Sequence, residues 1–196
     1  MIQGKPLVLF SIARNILCSI LNEEEVTDVL NVNYNVAISK SNIENLAKRM
    51  YPNSLKRIRS KTVKNKFMQS LYYFELCNKD DFEMFNYTSF VFDSYRALEG
   101  VMRQFFFDIE LDMQDFKIMT NNGEIEDYVL KCIKLKYNDY EPIVKYLKEF
   151  YNFYTKRNKF FHIEKMNKLA SLKGIDVSPN IASKSDAQAH INDVLS

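Results

Sequence analysis

Arg157, Asn158 and His162 fall in one aromatic-rich stretch, YTKRNKFFHIEKM (residues 154–166), which contains one of the chain's 2 histidines. An imidazole titrates near neutral pH and can move a proton, whereas a guanidinium stays charged and offers a planar fork to anionic oxygens. The two side chains together could support proton transfer beside a stabilised anion. Burying an unpaired guanidinium costs free energy that apolar packing does not return. Arg157 is therefore there for a partner, a surface or a reaction. The blander alternative is a core histidine next to an arginine paired with a buried carboxylate.

These side chains must be positioned by a helix. Over about residues 140–163, Ile143, Leu147, Phe150 or Tyr151, Tyr154 and Phe161 recur as an apolar stripe, and Arg157 falls on it. His162 follows five residues later, so an unbroken helix would point it about 140° away and roughly 7.5 Å further along. Either the helix loosens near His162, or a second copy of the protein brings its own pair alongside.

The rest of the chain supplies the frame. From residue 54 the pattern is helical: a helix at 54–77, a long one at 81–110, a break at MTNNG (119–123), and helices at 124–136 and 140–163. A loop over 171–184 and a short helix from Ser185 complete a bundle of four or five helices. The first 53 residues read differently. KPLVLF (5–10) is a β-prone run, SIARNILCSILNEEE (11–25) has helical spacing, and VLNVNYNVAIS (29–39) alternates like a half-buried strand. Ser41 is the expected N-cap of the next helix, with Glu44 completing a capping box, and Tyr51-Pro52-Asn53 ends it. The expected fold class is α+β: a small α+β domain over 1–53, then an all-α bundle over 54–196.

Composition narrows the function classes. A formal charge of +2 over 196 residues does not by itself argue for nucleic acid, and 4 Gly with 4 Pro favour long helices over many short strands. Cys18, Cys77 and Cys132 are odd in number, widely spaced and set in apolar surroundings, as expected of reduced core thiols. No cofactor or metal is expected. No apolar run reaches membrane-spanning length and no signal-peptide pattern opens the sequence, so a cytoplasmic protein away from membranes is expected. Charge is uneven locally. Between Glu44 and Glu75 there is no acid, while Lys48, Arg49, Lys56, Arg57, Arg59, Lys61, Lys64 and Lys66 are all basic. Such a run is either a solvated helix face or a surface for a polyanion, whose phosphates release counterions when neutralised.

RNKFFH (157–162) resembles the Arg–polar–x3–His signature of HEPN domains, helical bundles many of which are metal-independent ribonucleases. Upstream, NYTSFVFDSYRALEGVMRQFF (86–106) is similar to a second hallmark of the RnlA/LsoA-type toxins (bacterial RNase LS). In these toxins the ALEG helix supplies a glutamate, matched here by Glu99. QGKPLVLFSIARNILCSIL through YPNSLKRI is similar to the domain that precedes the HEPN domain in that family. The family carries a further N-terminal domain that this sequence is expected to lack.

The resemblance implies an endoribonuclease toxin of a toxin–antitoxin or phage-defence system, degrading mRNA and leaving a 2′,3′-cyclic phosphate. Arg157, His162 and Glu99 would form the catalytic set, with Asn158 contacting substrate or orienting the pair. Glu99 could equally serve to neutralise Arg157. Lys56, Arg57, Arg59 and Lys61 would bind RNA. The implied partners are RNA, a cognate or phage-encoded antitoxin, and a second copy of the chain in a homodimer. The competing expectation is a catalytically silent HEPN-like module that binds a partner protein.

Overall fold

In a computed structural model, the structure describes residues 16, 21, 23–34, 36–84, 87–111, 118–120, 122–161 and 181–196. The described chain is helical: α1 (Glu23–Tyr34), α2 (Lys40–Met50), α3 (Ser54–Arg57), α4 (Lys61–Leu76), α5 (Thr88–Asp108), α6 (Asp127–Lys136), α7 (Glu141–Phe161) and α8 (Lys184–Leu195). Among the described residues there is no sheet. The one strand-like pairing is an isolated antiparallel bridge, Met119 with Ile125, closed by a turn in which Gly123 takes a φ of 79°.

The expected α+β class is thus overturned. The strand read over 29–39 is the second half of α1 followed by an irregular stretch, 36–39. Val26, Leu30 and Tyr34 recur every four residues and turn toward the core, while Val32 is exposed. A side chain stands where a strand partner would be. The Asn31 amide donates to the Ile38 carbonyl at 2.8 Å, and the Ile38 N–H donates back to Asn31 Oδ1 at 3.0 Å. Both backbone groups of Ile38 are satisfied without a sheet. The strand expected at 5–10, most of the helix expected at 11–25 and most of the loop at 171–184 lie outside the described residues.

Helix boundaries shift for local reasons. The N-cap of α2 is Ser39 rather than Ser41; its hydroxyl accepts from the Asn42 N–H at 3.2 Å. The single helix expected at 54–77 breaks at 58–60. There the Gln104 side chain on α5 accepts from the N–H groups of both Arg59 and Ser60 at 2.9 Å, so these donors need no helical partner. Ser60 then caps α4.

Two apolar clusters hold the bundle. The first gathers α1, α2, α4, the front of α5 and α8, with Leu30, Ile43, Leu71, Tyr73, Phe90 and Ile191 fully or almost fully buried. The second joins the back of α5 to α6 and α7 through Phe106, Ile118, Val129, Ile133, Leu147 and Phe150. Leu98 packs against both. α5 is therefore the shared spine, and its midpoint, Leu98–Gly100, lies where the clusters meet. Inside the first cluster Lys66 Nζ reaches Asp93 Oδ1 at 3.0 Å, both side chains almost sealed from solvent.

Candidate functional site

α7 lays its apolar face on the second cluster through Leu147, Phe150, Tyr151 and Tyr154, which carries Arg157 onto the middle of α5. There Arg157 Nη2 lies 3.7 Å from Glu99 Oε2, with side-chain exposures of 12% and 14%. The Arg157 guanidinium also sits 5.9 Å from the centre of the Tyr154 ring, one turn back. The structure therefore brings together two of the three expected catalytic residues, and the buried guanidinium has a carboxylate beside it. His162 and the side chain of Asn158 lie outside what the structure describes.

Glu99 has more company than sequence reasoning assigned it. Arg96 Nη1 approaches Glu99 Oε2 at 3.4 Å and Arg103 Nη2 approaches Oε1 at 3.3 Å. Three guanidiniums thus surround one carboxylate. The spacing held the signal: residues three before and four after a glutamate on a helix are its neighbours on the same face. Arg96 further lies over the Phe92 ring at 5.0 Å. Tyr95, in the same motif, is buried in the first cluster, and burial pushes its hydroxyl up to about 12, with Asp193 adding to the effect.

The basic run does not form one surface. Lys56 and Arg57 on α3, and Lys61 at the start of α4, are exposed. Arg59 is occupied, its Nη2 2.7 Å from Asp108 Oδ1. Lys66 points inward to Asp93. Arg57 lines a groove of about 870 Å³ with Phe67, Leu98, Phe153 and Lys156, so one part of the run reaches the same face of the bundle as α7. Among the described residues, no group of three or more His, Cys, Asp or Glu could hold a metal ion. No described helix is long and apolar enough to cross a membrane.

No family model matches the sequence. Over 148 residues the chain is 30% identical to the mRNA endoribonuclease LsoA of Escherichia coli O157:H7, a match spanning 66% of this chain and 41% of that protein. The fold is similar to that of Escherichia coli toxin LsoA, solved in complex with T4 phage antitoxin Dmd, with a TM-score of 0.69 and 26% identity. That match covers 96% of this chain and 70% of the solved one. The chain is similar in sequence and in fold to the toxin LsoA. The resemblance to RnlA/LsoA-type toxins thus has a counterpart in overall sequence and in fold. In sequence, the match to LsoA covers less than half of that protein's length.

Proposed function

We propose that this chain is an endoribonuclease toxin of HEPN type, with residues 54–196 carrying the activity and Arg157, His162 and Glu99 its centre. The observation that carries the reading is Arg157, a permanent cation held almost buried against Glu99 at the junction of the two clusters, five residues before His162. Its similarity to LsoA, named an mRNA endoribonuclease, supports RNA as the substrate.

RNA carries its own nucleophile. The ribose 2′-oxygen attacks the adjacent phosphorus, the bond to the 5′-oxygen breaks, and a 2′,3′-cyclic phosphate and a 5′-hydroxyl result. The step needs a group to take the 2′ proton or return one to the leaving oxygen, which is the task of His162. It also needs a cation at the phosphoryl oxygens, where negative charge builds up, and that is the task of Arg157. Glu99 holds Arg157 in place, Asn158 orients the pair or the substrate, and the exposed Lys56, Arg57 and Lys61 gather the strand, with Arg59 beside them. The chemistry asks for no metal. A homodimer would bring two Arg157–His162 pairs to one cleft, and an antitoxin, cognate or phage-encoded, would cover it. The solved LsoA complex with Dmd supports a partner of that kind.

Arg157→Ala and His162→Ala should each lower RNA cleavage by about a hundredfold or more, the scale of losing one charge-stabilising or proton-transferring group. Arg157→Ala should leave the fold intact, because Arg96 and Arg103 still neutralise Glu99. Cleavage should persist in EDTA. Wild-type rates in either variant would end this reading. The Arg157–Glu99 ion pair is also what a silent, partner-binding module would need. Growth inhibition by the wild type that survives Arg157→Ala would favour that alternative.

A further inference from the structure

Three guanidiniums converge on Glu99, but none grips it. The approaches are 3.3, 3.4 and 3.7 Å, whereas an arginine fork closed on a carboxylate sits at about 2.7–2.9 Å. Glu99 brings one negative charge to three positive ones. Arg157 and Glu99 are nearly buried, but the side chains of Arg96 and Arg103 are 44% and 50% exposed. Two cations therefore face solvent on either side of the proposed cleavage centre, oriented by a carboxylate that holds them loosely.

The same face of α5 continues past Arg103. Arg96, Glu99, Arg103 and Phe107 are spaced three, four and four apart, which aligns them on one side of the helix. Phe107 is 77% exposed, an uncommon setting for a ring that could have packed. It lines a cavity of about 680 Å³ together with Arg103 and Lys136. Among the described residues, the acids nearest that end each have a basic partner, Asp108 with Arg59 and Glu110 with Lys136. Arg96 to Phe107 covers roughly 16 Å of helix, room for a short run of nucleotides. Cations alternating with an exposed ring suit a single strand, whose phosphates need charge and whose bases need a flat apolar face.

We propose that this stripe of α5 is the track for single-stranded RNA, with Arg96 and Arg103 taking backbone phosphates on either side of Glu99 and Phe107 stacking a base. The inference rests on the ribonuclease reading for its substrate class. It assigns binding to residues outside both the Arg157–His162 pair and the basic run between Glu44 and Glu75. An incoming phosphate competes with Glu99 for Arg96 and Arg103 at contacts of 3.4 and 3.3 Å.

The test is fluorescence anisotropy of the full chain with a 2′-O-methyl oligoribonucleotide, which lacks the attacking hydroxyl and cannot be cut. Arg96→Gln and Arg103→Gln should each weaken binding several-fold at low salt and reduce the log–log salt slope by about 0.7. Phe107→Ala should weaken it roughly tenfold and leave the slope unchanged, since a ring neutralises no phosphate. With cleavable RNA the three variants should raise KM. Binding equal to wild type in all three variants overturns the track, whatever they do to association with a protein partner. If the wild type binds in this pattern but cuts no RNA, the track stands and the ribonuclease reading fails.

Discussion

Replacing Gly100 by alanine should destabilise the protein, although alanine is the better helix former. Gly100 sits in the middle of α5 against α4, where these two helices make the most extensive contact in the bundle. A Cβ at that position would overlap Val63 Cγ2 and lie 3.1 Å from Cγ1 and 3.3 Å from Cβ. Valine is held to one strongly preferred rotamer in a helix, so its methyl groups cannot swing away and the two helices must separate. Overpacking of this kind costs about 1–3 kcal/mol, and alanine returns about 1 kcal/mol of helix propensity. The net loss should be about 1 kcal/mol, or roughly 2–4 °C in Tm for a domain of this size. The decisive assay is the double mutant, followed by urea or thermal unfolding. In a Val63→Ala background the obstructing methyl groups are gone, so Gly100→Ala should become stabilising by up to about 1 kcal/mol. A Gly100→Ala effect of the same sign and size in both backgrounds would refute the clash.

Lys66→Met should cost about 3–5 kcal/mol, because it leaves the fully buried Asp93 without its cation; Lys66→Met with Asp93→Leu should recover much of that in denaturant titrations. By contrast, neutralising the exposed Lys56, Arg57 and Lys61 together should move Tm little and weaken RNA binding across sequences, with a lower salt slope. Stability should fall as pH rises from 9 toward 12. Burial lifts the Cys77 thiol from 9.0 to about 12 and the Tyr95 hydroxyl from 10.0 to about 12, so the unfolded chain sheds these protons first and gains. A denaturation midpoint that stays flat to pH 11 would contradict that burial. Specific cleavage activity should fall on dilution if the active form is a homodimer, and undiminished activity from protein shown to be monomeric would rule out a shared site.

Much of the helical frame was legible in the sequence because long periodic segments carry their own signal. The stripe of Ile143, Leu147 and Tyr154 led to α7, and the long helix expected over 81–110 is α5, which runs from Thr88 to Asp108. The placement of Arg157 on an apolar face also followed from spacing alone, along with its need for a partner, a surface or a reaction. The short N-terminal segments were not legible in the same way. Over 29–39 the residues fit both a two-residue and a four-residue period, and so short a run cannot decide between them. Packing of Val26, Leu30 and Tyr34 on the first cluster decided for helix, and the Asn31 amide removed the need for a strand partner at Ile38.

The charges show the same division. Sequence alone determined how many cations stand between Glu44 and Glu75, but only the fold decided which of them meet solvent. Lys66 turned inward to Asp93 and Arg59 was taken by Asp108, while Lys56, Arg57 and Lys61 stayed outside. Likewise the motif Arg96–Glu99–Arg103 was written in one helix, whereas the approach of Arg157 from α7 depended on how α5 and α7 pack. Periodicity fixes which face a residue occupies on its own helix. It contains no information about which other helix that face will meet, because that pairing is settled by apolar burial summed over the whole bundle.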